Sequence, residues 1–175
     1  MRERDRSRGQ KAALYGMLIS LGFVFSYVEA MIPVPMPAPG MKLGLANLVG
    51  IVGLYTIGVT GVVIISLVRI VLVGFTFGNT FSMIYGLAGG AVSLLAMIGA
   101  KKSGWFGTVG VSILGGVFHN VGQLAVAAFV TRTGGVFIYL PALLAAGVTA
   151  GAVIGFLGGV VADRIRPMMG GMKDQ

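Results

Sequence analysis

An arginine stands inside an apolar run that is otherwise long enough to cross a lipid bilayer. The run extends from Val59 to Phe77, and Arg69 interrupts it. A guanidinium at the centre of a bilayer costs about 3 kcal/mol or more to insert, so such a residue faces protein or water rather than lipid. The run therefore predicts a membrane-spanning helix whose Arg69 side chain is kept away from the lipid.

Further polar side chains interrupt the neighbouring apolar stretches. They are Glu29, Asn47, His119, Asn120 and Gln123. Polar groups inside membrane segments are costly, and they commonly line pathways or binding sites. The set therefore predicts a site for a hydrophilic ligand within the membrane.

The composition is that of an integral membrane protein. The chain is 56% hydrophobic and only 10% charged, whereas soluble domains carry about 25% charged residues. It has no cysteine, which excludes disulfides and thiolate metal sites. Its formal net charge of +8 comes from basic residues at the ends of apolar runs, a pattern typical of anchoring to anionic lipid in the cell membrane.

Spacing of the apolar runs predicts an all-α integral membrane protein with six transmembrane helices. The predicted spans are Ala12–Ile32, Leu43–Gly58, Thr60–Phe77, Phe81–Ala100, Gly107–Val130 and Val136–Ala162. We expect residues 1–11 to form a basic cytoplasmic tail, residues 12–162 the transmembrane domain and residues 163–175 a second cytoplasmic tail. The first run is about 20 residues long and has no clear cleavage site, so we read it as a retained helix.

The second span is short, and the distribution of charge decides whether to count it. With six spans the basic N-terminus, Lys101-Lys102 and the basic C-terminus fall on one side, and the other side receives only Lys42 and Arg132. With five spans the two basic termini would lie on opposite sides, against the positive-inside bias. Six spans with both termini cytoplasmic is the prediction.

Small residues recur at four-residue spacing on two of the predicted helices. Gly147, Gly151, Gly155 and Gly159 share one face of the last helix, where they allow a neighbouring backbone to approach closely. We expect this face to pack inside the bundle. The first helix has a similar face of Ala12, Gly16 and Ser20 at its cytoplasmic end, where a partner helix could dock.

The predicted external loop has alternating prolines from Pro33 to Pro39. Such a sequence prevents a helix and favours a stiff polyproline II rod. Two interpretations remain open, a rigid spacer between helices or a preorganised loop that closes over a ligand.

In the six-span arrangement the polar residues fall mainly in the outer half of the membrane, which predicts an outward-facing pocket framed by helices one, two, three and five. The candidate ligand-binding residues are Glu29, Lys42, Asn47, Arg69, Asn79, His119, Asn120 and Gln123. Two cations against one carboxylate favour an anionic ligand group, with Arg69 as a fork and Lys42 as a point charge. The alternative is that Glu29 and Arg69 pair only with each other and pin two helices together.

The sequence offers no support for catalysis or for a bound cofactor. Its three aspartates, Asp5, Asp163 and Asp174, lie in the tails or at a helix end, and His119 is the only histidine. No nucleotide-binding, paired-carboxylate or nucleophile-elbow motif is present, and a metal site is not expected. A non-enzymatic role is the prediction, and any uphill transport must draw its energy from a partner or an ion gradient.

Four segments together resemble one known family. They are Lys42–Asn47 after the Pro-rich loop, Ser66–Arg69, Gly86–Gly90 and His119–Gln123. In this combination the chain is similar, from about Ala12 to Ala162, to the Gx transporter family, whose members are often labelled heptaprenyl diphosphate synthase component I. That family is grouped with the substrate-binding S components of energy-coupling factor (ECF) transporters.

The resemblance implies a six-helix S-component-like bundle that captures a micronutrient and is served by a transmembrane scaffold subunit and two ATPase subunits. S components often dock to the scaffold through an Ala-x-x-x-Ala motif on the first helix, and the corresponding positions here are Ala12 and Gly16. The label also implies an alternative, an accessory subunit or precursor carrier in isoprenoid or quinone synthesis. A synthase itself would need clustered aspartates to hold magnesium, and this chain has none. A self-sufficient carrier or small channel is a further rival.

Overall fold

The computed structural model describes residues 2–32, 42 and 44–170, with side chains described from residue 9 to residue 167. Within these ranges the regular structure is entirely helical. The helices are α1 (Arg2–Met31), α2 (Asn47–Thr56), α3 (Gly58–Thr76), α4 (Thr80–Ser103), α5 (Thr108–Thr131) and α6 (Leu140–Gly170), with a 3₁₀ helix, Gly134–Tyr139, before α6. The predicted all-α fold is confirmed for this part of the chain.

Five of the helices are long and apolar enough to cross a membrane. They are α1, from Gly9, and α3, α4, α5 and α6, the last together with its preceding 3₁₀ turn. Their outward faces carry large apolar side chains such as Phe75 and Phe129, which are 82% and 84% exposed. Exposed apolar side chains along helices of this length are typical of a bundle surrounded by lipid. The chain is therefore a multi-pass membrane protein.

Helix α2 is much shorter than the predicted span Leu43–Gly58, and that prediction is wrong at both ends. It has 10 residues, or about 15 Å at 1.5 Å per residue, half of the apolar thickness of a bilayer. Gly44 and Gly58 bound it with φ values of 95° and 81°, a left-handed conformation that ends a helix and that glycine adopts without strain. The first of these glycines lies before α2 and the second begins α3.

Helix α2 lies in the centre of the bundle. Every residue from Val49 to Leu54 is buried, and α2 contacts α1, α3, α5 and α6. Its apolar surface therefore packs against protein on all sides. This burial explains an apolar run with no polar face, since α2 meets neither lipid nor water along its middle.

The two long terminal helices continue past the predicted limits of the membrane domain. Helix α1 begins at Arg2 rather than at Ala12, and α6 ends at Gly170 rather than at Ala162. The predicted tails are thus largely continuous with the spans. Their arginine and glutamate side chains have good helix propensity, and a helix has no reason to end where the lipid ends.

Glycines allow α6 to approach α5 with backbone in contact, as predicted. A Cβ built on Gly147 would lie 2.9 Å from the backbone of Val117, and one on Gly151 would lie 2.6 Å from Cα of Ile113. Both distances are shorter than real Cβ contacts, so only glycine fits. The Gly147–Gly159 face therefore packs inside the bundle.

Basic side chains meet the C-terminal end of α2, at what we call the basic end of the bundle. The Lys101 ammonium donates to the carbonyl of Leu54 over 2.5 Å, and Nε of Arg166 donates to the carbonyl of Tyr55 over 3.4 Å. Both cations also lie over the Tyr55 ring, at 4.5 and 5.5 Å from its centroid. Cations at this position satisfy terminal carbonyls and complement the negative end of the helix dipole.

Candidate functional site

A small polar pocket lies at the opposite end of α2, which we call the pocket end. Its volume is about 30 Å³, roughly the space of one water molecule. The lining comes from α1, the segment before α2, and helices α2 to α5. The lining residues are Glu29, Lys42, Gly44, Ala46, Asn47, Arg69, Ile70, Val73, Ser82, Gly86, His119 and Gln123. Six of the eight predicted site residues are thus brought together, from positions as far apart in sequence as Glu29 and Gln123.

Arg69 enters the pocket across the face of α1. Leu18, Gly22, Ser26 and Glu29 form the buried face of that helix. A Cβ on Gly22 would lie 2.8 Å from Cδ of Arg69, so the glycine leaves the space that the arginine stem occupies. The guanidinium Nη1 donates to Oγ of Ser26 over 2.9 Å. The prediction that Arg69 faces protein rather than lipid agrees with this placement.

Glu29 does not form the predicted alternative pair with Arg69. Across the residues whose side chains are described, neither Arg69 nor Lys42 has a carboxylate oxygen within 4.0 Å. Instead Oε1 of Glu29 accepts the backbone N–H of Gly44 over 2.5 Å. Glu29 thus holds the segment before α2, and it influences the two cations only through its charge.

Gln123 holds the same segment from the other side of the pocket. Its Oε1 accepts the backbone N–H of Lys42 over 3.0 Å, and its Nε2 lies 2.8 Å from Nε2 of His119. Because the amide oxygen is engaged by Lys42, the amide nitrogen faces the imidazole as a donor. With this amide orientation Nε2 of His119 is the acceptor, which corresponds to the neutral imidazole with its proton on Nδ1.

These two hydrogen bonds explain how non-helical backbone is accommodated among membrane helices. Residues 42 and 44 lie outside any helix, yet they reach Glu29 of α1 and Gln123 in the middle of α5. Irregular backbone at membrane depth is stable only where it lines a cavity and finds hydrogen-bond partners. Glu29 and Gln123 supply those partners.

The Lys42 side chain is partly buried beside aromatic rings. Its ammonium lies 5.5 Å from the centroid of the Phe77 ring, and that ring makes edge contacts with Phe23 and Tyr27 at 5.2 and 5.4 Å. The cation–π contact with Phe77 favours the charged form.

The N-terminal end of α2 adds to the positive character of the pocket. The N–H groups of Asn47, Leu48 and Val49 bond to the carbonyls of Gly44, Leu45 and Ala46. The helix therefore supplies the positive end of its dipole rather than free donors. A side-chain donor is available, because Nδ2 of Asn47 is buried without a partner within the described part of the chain.

Two predicted site residues, Asn79 and Asn120, do not line this pocket. Asn79 is the N-cap of α4, where its side chain accepts from the backbone of Ser82 over 2.8 Å. Asn120 lies one position from His119, which places it on a different face of α5, and its Nδ2 donates to the carbonyl of Leu143 in α6 over 2.7 Å. Both amides therefore stabilise helices.

Several residues of the site were missed in the sequence. Gly22 and Ser26 precede Glu29 at helical spacing on α1, so a periodic small and polar face was a readable signal for them. Ser82 was readable as the partner of Asn79 in a capping box. Ile70 carried no such signal, because an isoleucine in an apolar run looks like any other.

In the described part of the chain, no other helix of the bundle covers the predicted docking face of α1. Ala12, Gly16 and Ser20 are all exposed, and a Cβ on Gly16 would meet nothing within 4 Å. The buried face of the same helix lies on the opposite side. This small-residue stripe therefore plays no part in internal packing.

Among the residues that the structure describes, no group of three histidine, cysteine or acidic side chains could bind a metal ion.

Searches of curated proteins and of solved structures gave no match. A family model described as heptaprenyl diphosphate synthase component I matches residues 18–161, which is most of the chain and includes all the pocket residues. The chain belongs to the heptaprenyl diphosphate synthase component I family.

Proposed function

We propose that this protein is the substrate-capture subunit, or S component, of an ECF-type importer in the cell membrane. Its ligand is a small anionic micronutrient or precursor, which it binds without catalysing a reaction. The observation that carries this proposal is Arg69, a cation held at the pocket by a neutral serine, with no carboxylate of the described side chains within 4.0 Å. A guanidinium in this setting is free to bind a carboxylate or phosphate through two hydrogen bonds.

Each pocket residue then has a distinct role. Arg69, Lys42 and Asn47 contact the anionic group, while Glu29 and Gln123 hold the backbone of residues 42 and 44 in place. His119 presents a neutral imidazole next to Gln123. Because the pocket holds only about 30 Å³, it must open to admit anything larger than a small anionic group.

The proposed topology has six spans, with both termini in the cytoplasm and the pocket facing outward. The short α2, with residues 44–46 before it, counts as the second span. This assignment places Lys101, Arg166 and the rest of the basic end on the cytoplasmic side, in agreement with the positive-inside bias.

The proposed partners are a transmembrane scaffold subunit and two ATPase subunits. Their docking site is the exposed stripe of Ala12, Gly16 and Ser20, where small side chains allow another helix to approach closely. The stripe lies toward the basic end and Arg69 at the pocket end, so docking and capture use different surfaces.

A second candidate function is favoured by the family description. In that case the protein is a membrane accessory subunit, or a precursor carrier, in heptaprenyl diphosphate synthesis. The same pocket would then hold the anionic end of an isoprenoid precursor, and the soluble synthase would replace the ATPases as the partner.

Purification of the tagged protein from its native membrane in mild detergent tests the two candidates. Co-purification of a scaffold with two ATPases supports the importer, whereas recovery of a soluble prenyl synthase supports the accessory role. Recovery of this chain alone contradicts both candidates and favours a self-sufficient carrier. Mass spectrometry of small molecules released from the same sample identifies the ligand.

A further inference from the structure

An apolar groove between α3 and α4 begins where the polar pocket ends. Its volume is about 400 Å³, many times that of the pocket, and lies in the range of ligand sites. Along α4 it extends from Leu87 to Ile98, about 16 Å at the helical rise. Its lining includes Ser66, Leu67, Ile70, Leu87, Gly90 and Ala91.

One side chain, that of Ile70, separates the groove from the pocket and lines both. A Cβ on Gly86, which lines the pocket, would lie 3.5 Å from Cγ2 of Ile70. A Cβ on Gly90, which lines the groove, would lie 3.5 Å from Cδ1 of the same residue. Since Gly86 and Gly90 are one turn apart, the polar and apolar spaces are neighbours along a single face of α4.

The two spaces suit the two ends of one molecule. The pocket holds cations that have no carboxylate within 4.0 Å in the described part of the chain, but it has space only for a small group. The groove has space, and none of its lining residues is charged. We propose that the ligand is an amphiphilic anion, with a single carboxylate or phosphate at Arg69 and an apolar chain in the groove. This inference rests on the proposed capture of an anion and specifies the class of that anion.

The groove also offers a route for such a ligand. Its rim is exposed on the outside of the bundle, where Leu67 and Leu95 are 47% and 71% exposed and face the lipid. A chain already dissolved in the bilayer could enter sideways without leaving an apolar medium. The small volume of the pocket then does not prevent binding, because only the anionic head group of the ligand has to pass Ile70.

Binding of farnesyl phosphate to the purified protein in phosphatidylcholine nanodiscs tests this inference. Gly90→Leu places a side chain in the groove, and because its Cβ makes an ordinary contact the helix should tolerate it. Gly99→Leu is the matched control, since it lies on the same helix outside the groove and its Cβ meets nothing within 4 Å. Partition of the probe into the nanodisc is the same for all variants, so it cancels in the comparison.

We expect Gly90→Leu to weaken farnesyl phosphate binding about tenfold, as when roughly two methylene groups lose their buried contacts. Inorganic phosphate should compete equally well in this variant and in wild type, because the site for the anionic head is unchanged. Gly99→Leu should behave as wild type. Mass spectrometry of a lipid extract then distinguishes a free amphiphile from a bilayer phospholipid as the natural source of this chemistry.

The possible failures are distinguishable. If Arg69→Gln abolishes binding of farnesyl phosphate but Gly90→Leu does not weaken it, the apolar chain does not use the groove and only the anion capture stands. If Arg69→Gln leaves binding intact, the proposed function fails together with this inference. Absence of any binding of farnesyl phosphate to the wild-type protein also overturns the inference.

Discussion

The guanidinium of Arg69 donates to the hydroxyl of Ser26 over 2.9 Å, joining α3 to α1 without the help of a carboxylate. A neutral acceptor orients the cation but does not cancel its charge. The arginine therefore keeps its capacity for an anion, while Glu29, which could have neutralised it, binds the backbone of Gly44. This relationship favours a ligand-binding role for Arg69 over a purely structural one.

Replacing Arg69 should remove ligand binding while preserving the fold. We expect Arg69→Gln to weaken binding by about 2–5 kcal/mol, the usual cost of removing one partner from a buried charged contact. The substitution removes a buried charge together with its one bond to Ser26, so the thermal unfolding midpoint should stay close to that of wild type. A variant that unfolds readily but binds normally once folded would show that the residue is structural instead.

Enlarging Gly22 should displace Arg69 indirectly. A Cβ at this position would lie 2.8 Å from Cδ of the arginine, so Gly22→Leu forces the stem aside and costs about 1–3 kcal/mol of stability through overpacking. We expect ligand affinity to fall together with stability. A binding assay on the purified protein in detergent measures this. Gly16→Leu, on the exposed face of the same helix, is the control and should bind the ligand normally.

Two substitutions of Glu29 separate its hydrogen bond from its charge. Glu29→Ala leaves the N–H of Gly44 buried without an acceptor, which should cost about 1–3 kcal/mol of stability. Glu29→Gln keeps an amide oxygen for that N–H, so its stability should be near that of wild type while an anion binds at least as tightly. Equal destabilisation by both variants would mean that the carboxylate charge, rather than the bond to Gly44, holds the segment.

The exposed stripe on α1 should serve the partner and not the ligand. Gly16→Leu fills the space that a partner helix would use, so it should abolish uptake or complex formation in cells. Ligand affinity of the isolated protein should be almost unchanged, because the bundle makes no contact there. Uptake at the wild-type level would remove the main support for a scaffold that docks on α1.

Both termini should lie in the cytoplasm. The chain contains no cysteine, so Ser7→Cys and Asp174→Cys each introduce a single reactive thiol. An impermeant maleimide should leave both unlabelled in intact cells and label both after permeabilisation. Labelling of either variant in intact cells would contradict the proposed six-span topology.

The sequence by itself determined the class of the protein and most of the members of its pocket. Apolar runs of membrane length must be helical in lipid because the backbone has no other source of hydrogen bonds. Polar residues within those runs must face inward, and for this reason Arg69, His119 and Gln123 were recognisable. Glycines at four-residue spacing likewise indicated that one face of the last helix packs inside the bundle, although not against which helix.

Only the tertiary structure decided which groups meet. The bonds of Arg69 to Ser26 and of Lys42 to Gln123 join residues 43 and 81 positions apart, and helical periodicity gives a face but neither a depth nor a partner. The same limit explains why the sequence predicts Asn120 for the pocket, although its side chain bonds to α6, and why it leaves open whether Glu29 pairs with Arg69. The length of α2 was likewise decided in three dimensions, where Glu29 and Gln123 supply hydrogen bonds to residues 44 and 42, which lie outside the helix.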